Sequence, residues 1–214
     1  MQTTVLIDYG SGNLHSAEKA LAAAAKACGT DNRIVVSGDP EVVLAADRLV
    51  LPGVGAFAAC MGALQAQDGL VEAMTEAVMV GSKPFLGICV GMQLLATRGL
   101  EFGETPGLDW IQGHVRKLEP ADHALKIPHM GWNALQSEQP HALLAHAPDG
   151  AHVYFTHSFV LEPRDKADAI AWTQHGEPIV AAVARGNIAG VQFHPEKSQA
   201  VGLRLLGDFL EWRP

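Results

Sequence analysis

The chain contains a cysteine between two glycines in the stretch Lys83-Pro-Phe-Leu-Gly-Ile-Cys89-Val-Gly-Met-Gln93. The first half of this stretch is an apolar run that predicts a buried strand, and its second half predicts a helix. Cys89 stands at the corner between them. Gly87 and Gly91 lack the β-carbons that would crowd so sharp a turn. This pattern is typical of a nucleophile elbow, in which the corner side chain projects from the backbone.

Two interpretations of Cys89 stay open on this motif alone. At a helix N-terminus the dipole and the unpaired N–H groups favour the thiolate, which is the reactive form of cysteine. Free cysteine is also among the most commonly buried residues, where it acts as a small hydrophobe. A catalytic role therefore needs a base elsewhere in the chain.

The segment Phe193-His194-Pro195-Glu196 supplies a candidate base. Histidine can take a proton from a thiol and return one to a leaving group near neutral pH. Residues two apart on an extended chain point to the same side, so we expect Glu196 to reach the His194 ring where Pro195 ends a strand. Taken alone, the segment also fits a strand end with a surface glutamate. Together, the two motifs predict a triad of Cys89, His194 and Glu196.

Strand and helix segments alternate in the first half of the chain, which predicts an α/β fold with an open, mostly parallel sheet flanked by helices. The expected elements there are strand 5–8, helix 14–28, strands 33–36 and 48–51, helical material over 56–80 with a break near 68–69, strand 84–88 and a helix from 90 to about 97.

The second half changes character, because short alternating segments broken by Gly and Pro predict antiparallel β-hairpin material over residues 108–135. Further strands are expected at 153–156, 169–172, 179–183 and 188–191. A final helix over 200–212 is expected to pack on the sheet through an apolar stripe of Val201, Leu205, Leu206, Phe209 and Leu210. No repeat or long linker divides the chain, so we expect one domain over residues 1–214.

Composition limits the classes of function. The chain has 214 residues, Lys+Arg 15 against Asp+Glu 23, and a net charge of -8. That length suits one domain with a sizeable core, and the acidic balance argues against a nucleic-acid partner. No secretion signal is evident at the N-terminus, and the longest uncharged apolar stretch is too short to cross a bilayer. We expect a soluble, cytoplasmic protein.

The three cysteines, Cys28, Cys60 and Cys89, show none of the CxxC spacing of a zinc or redox site. So sparse a count predicts a reducing compartment. Cys28 and Cys60 follow alanine-rich runs and are expected in the core. The 10 histidines contain no HExxH or HxH pair, so no metal site is expected.

A cysteine that attacks a carbonyl needs N–H donors for the oxyanion that forms. One comes from the residue after the nucleophile, Val90. The segment Pro52-Gly53-Val54-Gly55 follows the third predicted strand and is expected at the same carboxyl edge of the sheet, where it can supply another. An ordinary tight turn is the alternative for this segment.

Four motifs, in order along the chain, resemble those of class I, triad-type glutamine amidotransferases, and the resemblance spans nearly the whole chain. They are Pro52-Gly-Val-Gly55, Gly87-Ile-Cys-Val-Gly-Met-Gln93, Tyr154-Phe-Thr-His-Ser158 and Gln192-Phe-His-Pro-Glu-Lys197.

Within that family, Pro128-His-Met-Gly-Trp-Asn133 and Asp8-Tyr-Gly-Ser-Gly-Asn13 look like the glutaminase subunits of imidazole glycerol phosphate synthases. The resemblance implies a separate (βα)8-barrel cyclase that forms a heterodimer with this chain and makes imidazole glycerol phosphate and AICAR in histidine biosynthesis. It implies no cofactor. Val90 stands where leucine is more usual, and Asp109 replaces a common glycine.

The resemblance implies that Cys89 attacks the carboxamide of glutamine and forms a γ-glutamyl thioester, with release of ammonia and then glutamate. Ammonia is mostly protonated in water near neutral pH and must reach the partner without meeting solvent. The implied oxyanion group is Gly53, Val54, Gly55 and Val90. The implied glutamine contacts are Gln93, Glu101, Ser158 and Phe159, and the implied partner contacts are Asn13, Met130, Trp132 and Lys197.

Several alternatives stay open. Glu101 fits a solvated surface carboxylate equally well, and Trp132 fits the core. The chain can also be the glutaminase of another synthase, such as the pyridoxal phosphate or anthranilate type, or a non-catalytic regulatory subunit. A dinucleotide site after the first strand, suggested by Gly10-Ser-Gly12, fails because His15 occupies the third glycine position.

Overall fold

The computed structural model describes residues 1–122 and 124–214. The strands are β1 Gln2–Ile7, β2 Asn32–Ser37, β3 Arg48–Gly53, β4 Phe85–Cys89, β5 Arg98–Gly99, β6 Thr105–Pro106, β7 Gly113–Lys117, β8 His129–Ala134, β9 Gln136–Ser137, β10 His152–His157, β11 Phe159–Pro163, β12 Ala169–Gln174, β13 Pro178–Arg185 and β14 Ile188–Val191. The helices are α1 Leu14–Cys28, α2 Pro40–Ala45, α3 Phe57–Gln65, α4 Leu70–Thr75, α5 Val90–Gln93 and α6 Gln199–Glu211.

The central sheet has 8 strands in the order β2-β1-β3-β4-β14-β13-β12-β9. Strands β2, β1, β3, β4 and β14 run parallel, and β13, β12 and β9 continue antiparallel. The predicted α/β class with a mostly parallel sheet is confirmed. Parallel strands bring their carboxyl ends to one edge, and there Gly53 of β3 is the register partner of Cys89 of β4.

The helix after Cys89 is much shorter than predicted. It ends at Gln93 instead of near Thr97. Leu95 and Ala96 donate to carbonyls three residues back, at 3.1 and 3.0 Å, which tightens the chain into turns. The carbonyls of Leu94 and Ala96 accept N–H groups from the loop that follows, so these residues are held by distant partners that local helix propensity cannot anticipate.

Strands do form between residues 108 and 135, as predicted, but they do not pair with each other as hairpins. His123 in this segment lies outside the described residues. β7 pairs with β11, and β8 pairs with β10, both antiparallel. Alternating sequence predicts a strand but not its partner. Because β10 ends at His157 and β11 begins at Phe159, this pairing places Ser158 where two small sheets meet.

The last helix, α6, buries four of the five residues of its predicted apolar stripe, and Val201 is half-buried. It packs mainly against α1, with a smaller contact to β10, so the expected packing on the sheet holds only in part. Gly207 permits this approach, since a β-carbon there would collide with Cys28 Sγ. Cys28 is half-buried and Cys60 is buried.

One large cluster of buried apolar side chains runs from Val5 to Trp212 and joins elements from both halves of the chain. Among residues 1–122 and 124–214, no helix combines the length and the apolar character needed to cross a membrane.

Two buried histidines face each other across the β8–β10 pair. His129 and His157 are register partners, with 3.0 Å between Nδ1 of the first and Nε2 of the second. His157 Nδ1 lies 2.8 Å from the Phe159 carbonyl oxygen, and Asn133 Nδ2 lies 3.1 Å from His129 Nε2. A carbonyl only accepts, so His157 Nδ1 carries the proton and its Nε2 accepts from His129. Both rings are therefore neutral in this arrangement.

The surroundings favour the neutral rings. Burial, followed by the nearby His157 and His175, lowers the pKa of His129 to about 3. Burial is also the main cause that lowers the pKa of His157 to about 4, against the opposing effect of its bond to the Phe159 carbonyl.

We expect acid to destabilise the fold through these rings. In the unfolded chain each histidine binds a proton near pH 6.5, whereas folded His157 does so only near pH 4. The contribution of neutral His157 to the free energy of unfolding is therefore fully present above pH 6.5. It is lost as the pH falls toward 4, at up to about 1.4 kcal/mol per pH unit. In urea unfolding between pH 4 and 7, His157→Asn should flatten this slope. His15→Asn, at an exposed position, should not. Equal slopes for wild type and His157→Asn would contradict the prediction.

Candidate active site

The turn at Cys89 has the geometry that the sequence predicts. Cys89 ends β4 with φ 54° and ψ −111°, in a region that non-glycine residues rarely adopt. A β-carbon at Gly91 would collide with the Leu51 carbonyl oxygen, and one at Gly87 would lie 2.5 Å from the Gly91 oxygen. Both glycines are thus required for the backbone to fold back at this corner.

His194 and Glu196 meet as predicted, but by a different route. His194 Nδ1 lies 2.8 Å from Glu196 Oε1, and each side chain is 4% exposed. The expected extended chain is absent at this point, because β14 ends at Val191 and Pro195–Lys197 forms a 3-10 turn. The turn, with Pro195 at its start, brings the carboxylate back to the ring.

The backbone of His194 is fixed by its neighbours. Its N–H donates to the Tyr154 carbonyl at 2.9 Å, and its carbonyl accepts from Ser198 Oγ at 2.6 Å. These contacts tie the histidine to β10, the strand whose end forms another wall of the site.

The electrostatics of His194 favour the imidazolium. Burial by itself lowers its pKa, but hydrogen bonding with Cys89 and Glu196, together with the negative charge available on both, raises the pKa to about 9. At neutral pH the ring therefore holds a proton that it can give to a leaving group. Glu196 uses Oε1 for this contact, and its Oε2 is buried without a partner among the described residues.

The loop Pro52-Gly53-Val54-Gly55 is held by three side chains whose contact with it the sequence did not predict. Tyr9 Oη donates to the Pro52 carbonyl at 2.8 Å. Ser11 Oγ and Cys60 Sγ donate to the Val54 carbonyl at 3.1 and 3.2 Å. Because the C=O and N–H of one planar peptide point in opposite directions, the Gly55 N–H is turned away from Ser11 and Cys60. Burial, with Cys60 close by, raises the pKa of Tyr9, so it stays a donor.

A cavity of about 240 Å³ opens over Cys89 and His194. It is smaller than the roughly 300–1,000 Å³ of sites for drug-sized ligands, and it suits a small molecule. The structure brings most of the expected site residues to this cavity. Gly53 is an exception, because it packs against α5, where a β-carbon would lie 2.7 Å from the Gly91 nitrogen. The lining residues are Val54, Gly55, Cys89, Val90, Gln93, Glu101, Thr156, His157, Ser158, Phe159, His194 and Lys197.

Gln93 reaches the cavity, but its amide nitrogen is already engaged. Nε2 donates to the Phe159 carbonyl and to Gln192 Oε1, both at 3.0 Å. Its Oε1 is thus the atom left to accept from a ligand. Gln192 in turn points Nε2 at Cys89 Sγ, 3.7 Å away.

Glu101 is half-buried and lines the cavity wall. Its Oε2 accepts the Phe57 N–H at 2.8 Å and so caps the first residue of α3. The same carboxylate places a negative charge at the cavity and anchors the chain just beyond the Gly55 loop.

The four expected partner contacts lie on the surface. Trp132 is 47% exposed and Met130 63% exposed, so the alternative placement of Trp132 in the core is wrong. The Trp132 ring meets Tyr154 edge to face at 6.0 Å, and Lys197 Nζ lies 5.8 Å from the same Tyr154 ring. Asn13 is exposed and caps α1 through the Ser16 N–H. An apolar patch thus adjoins the cavity that Lys197 lines.

A larger groove of about 740 Å³ lies elsewhere, between β7, β11 and β13. Arg116, one of three arginines that line it, is paired with Glu162 and Glu177 at 2.8 and 2.7 Å. Cysteine is absent from the residues that line it. In the described ranges, no three His, Cys, Asp or Glu side chains gather as a metal site. The candidate nucleophile Cys89 and its candidate base His194 both line the smaller cavity, which is therefore the candidate active site.

Known proteins resemble this chain along its whole length. A family model for class-I glutamine amidotransferases matches residues 5–211. The imidazole glycerol phosphate synthase subunit HisH of Caulobacter vibrioides is 63% identical over 214 residues, covering 100% of both chains. The protein of the same name from Rhodospirillum rubrum is 58% identical over 210 residues, covering 98% of each.

Solved structures share the fold at lower identity. A protein described as a glutamine amidotransferase superposes with a TM-score of 0.70 at 19% identity, over 97% of this chain and 99% of its own. A glutamine amidotransferase of Thermotoga maritima gives a TM-score of 0.59 at 15% identity, over 91% and 76%. With the family model spanning nearly the full length, this chain belongs to the class-I glutamine amidotransferase family.

Proposed function

We propose that this chain is the glutaminase subunit of an imidazole glycerol phosphate synthase. It hydrolyses glutamine to glutamate and ammonia and delivers the ammonia to a (βα)8-barrel cyclase with which it forms a heterodimer. The observation that carries the proposal is the placement of Cys89 on a strained turn beside the His194–Glu196 pair, in one small cavity. The full-length relatives named as this subunit support the choice within the family.

The first chemical step forms a bond between Cys89 Sγ and the carboxamide carbon of glutamine. The electron pair of the carbonyl moves to oxygen, and N–H groups of Val90 and the Gly55 loop stabilise that charge. The Ser11 and Cys60 bonds to the Val54 carbonyl fix the orientation of the loop peptide before substrate arrives.

In the next step the C–N bond breaks and ammonia leaves. His194 gives its proton to the departing nitrogen, and the tetrahedral species collapses to a γ-glutamyl thioester on Cys89. Glu196 holds Nδ1 at 2.8 Å, so the other ring nitrogen is the one that exchanges protons with substrate. The carboxylate also stabilises the charged ring, as the acid does in a Ser-His-Asp triad.

Water completes the cycle. Neutral His194 takes a proton from water, the hydroxyl oxygen bonds to the thioester carbon, and the C–S bond breaks to give glutamate and free Cys89 thiolate. For glutamine binding, Gln93 Oε1 faces the ligand as an acceptor and the Glu101 carboxylate suits the α-ammonium group. Ser158 and Phe159 complete the wall.

The ammonia must pass to the partner before it gains a proton from solvent. Met130 and Trp132 form the exposed apolar surface next to the cavity, and Lys197 and Asn13 add polar contacts. We infer that the cyclase covers this surface and closes the route. The sparse, unpaired cysteines fit a reducing cytoplasm, and a single domain over residues 1–214 fits the shared apolar core.

Glutamate release tests the function directly. Wild-type protein mixed with the cyclase and the cyclase ligand should release glutamate from glutamine, and Cys89→Ala should abolish the release because the thioester cannot form. Glu196→Gln keeps a bond partner for the ring but removes its charge, so kcat should fall by roughly 10²–10⁴-fold.

Cyclase binding by Cys89→Ala serves as the control for folding. Glutamate release by that variant at the wild-type rate would overturn the catalytic assignment, and a chain that activates only a different synthase would overturn the choice of partner.

The partner surface has a matched test. Met130→Ala should weaken cyclase binding by roughly 1 kcal/mol, and Trp132→Ala by roughly 2 kcal/mol, because large exposed anchors dominate interfaces. Met79→Ala is the control, since Met79 is 52% exposed but precedes β4 at the opposite edge of the sheet. Titration calorimetry with the cyclase measures the change. Wild-type affinity in Trp132→Ala would place the interface elsewhere.

A further inference from the structure

We propose that Gln192 is a further catalytic residue, whose carboxamide N–H donates to the Cys89 sulfur and stabilises its thiolate. Gln192 is fully buried, and its Nε2 lies 3.7 Å from Cys89 Sγ, within range of a hydrogen bond to sulfur. It follows directly after β14, the parallel neighbour of β4, so the sheet itself places it beside the elbow.

The orientation of the Gln192 amide is fixed by a backbone carbonyl. The Phe159 oxygen can only accept, so the Gln93 group that faces it must be the NH₂ group, at 3.0 Å. The same Gln93 nitrogen lies 3.0 Å from Gln192, which must therefore present its oxygen. The remaining end of the Gln192 amide is its NH₂ group. A donor, not an acceptor, thus faces the sulfur.

A second chain of hydrogen bonds ends on the same Phe159 carbonyl. Asn133 donates to His129, His129 donates to His157, and His157 donates to Phe159 at 2.8 Å. Both histidines are neutral in this order. The carbonyl is thereby held between Gln93 and His157, and the direction of the Gln192 amide does not depend on a titrating group near neutral pH.

The donor complements His194. A thiolate buried at 4% exposure has lost most of its water and needs polar partners in exchange. His194 is a charged donor to the sulfur, but it loses its charge when it gives its proton to ammonia. Gln192 is uncharged and stays in place, so the sulfur keeps a donor when it forms again as the leaving group of the second step.

Alkylation of Cys89 isolates this effect. The inference rests on the proposed role of Cys89 as nucleophile, yet iodoacetamide reports on the sulfur without glutamine or cyclase. Failure of the glutaminase assay and failure of this inference are therefore separate results. The rate is measured from pH 5 to 10 by mass spectrometry of the Cys89 peptide.

Gln192→Met removes the donor at nearly constant volume. We expect alkylation at pH 7 to slow on the order of tenfold, because less of the sulfur is thiolate. The rates should converge with wild type at pH 10, where the thiolate forms without help. Equal profiles would overturn the proposal, and so would a parallel loss at every pH, which indicates reduced access.

Thr173→Val is the matched control, because it also removes a buried side-chain hydrogen bond. Thr173 is fully buried and donates to the Ala134 carbonyl at 2.8 Å, in a strand remote from Cys89. It should leave the alkylation profile unchanged.

Gln93→Glu tests the same point if Gln192→Met does not fold. The oxygen that replaces the amide nitrogen of residue 93 gives up the bond to the Phe159 carbonyl and can only accept from the Gln192 NH₂ group, so the Gln192 oxygen then faces Cys89. We expect slower alkylation at pH 7 in this variant too, with the sulfur facing an acceptor. An unchanged rate would show that the amide direction has no influence.

Discussion

The close contact between Gly91 and the Leu51 carbonyl is the constraint on which the rest of the site depends. No side chain fits there, so the start of α5 lies directly on β3. This contact forces the chain to turn at Cys89 with a positive φ, and the same approach brings Gly53, at the end of β3, into register with Cys89. The proposed nucleophile and the proposed oxyanion loop are thus positioned by one backbone contact between two neighbouring parallel strands.

Sheet order explains how residues far apart in sequence meet. β14 lies next to β4, with Val191 as the partner of Ile88, so the residues after Val191 continue alongside Cys89. Nothing local in the sequence shows that these strands are neighbours. The proposed triad could be inferred from the sequence only because a nucleophilic cysteine requires a base, and that base requires an orienting acid. The extended-chain argument for Glu196 was wrong, since a 3-10 turn makes the contact.

Periodic features were predictable, and isolated polar contacts were not. Buried apolar runs marked β3, β4 and β14, and the apolar stripe marked α6. The helix beyond Gln93 and the pairing of β7 and β8 failed because distant partners decide them. The site contacts of Tyr9, Ser11, Cys60 and Gln192 were missed for a related reason. Each makes its contact through a single polar group, and only the folded chain shows the carbonyl or sulfur that it faces.

These missed residues share a chemical property. They are uncharged donors, and they orient the loop and the sulfur without adding charge to a buried site, where each unpaired ion would be costly. The neutral His129 and His157 follow the same rule. The ionisable side chains at the cavity are instead those to which the proposed mechanism gives a chemical role: Cys89, His194 and Glu196 in the proposed triad, with Glu101 and Lys197 at the cavity wall. Neutral groups can hold a geometry through every step of a reaction in which the charges move, because their own hydrogen bonds do not depend on which atom carries the proton.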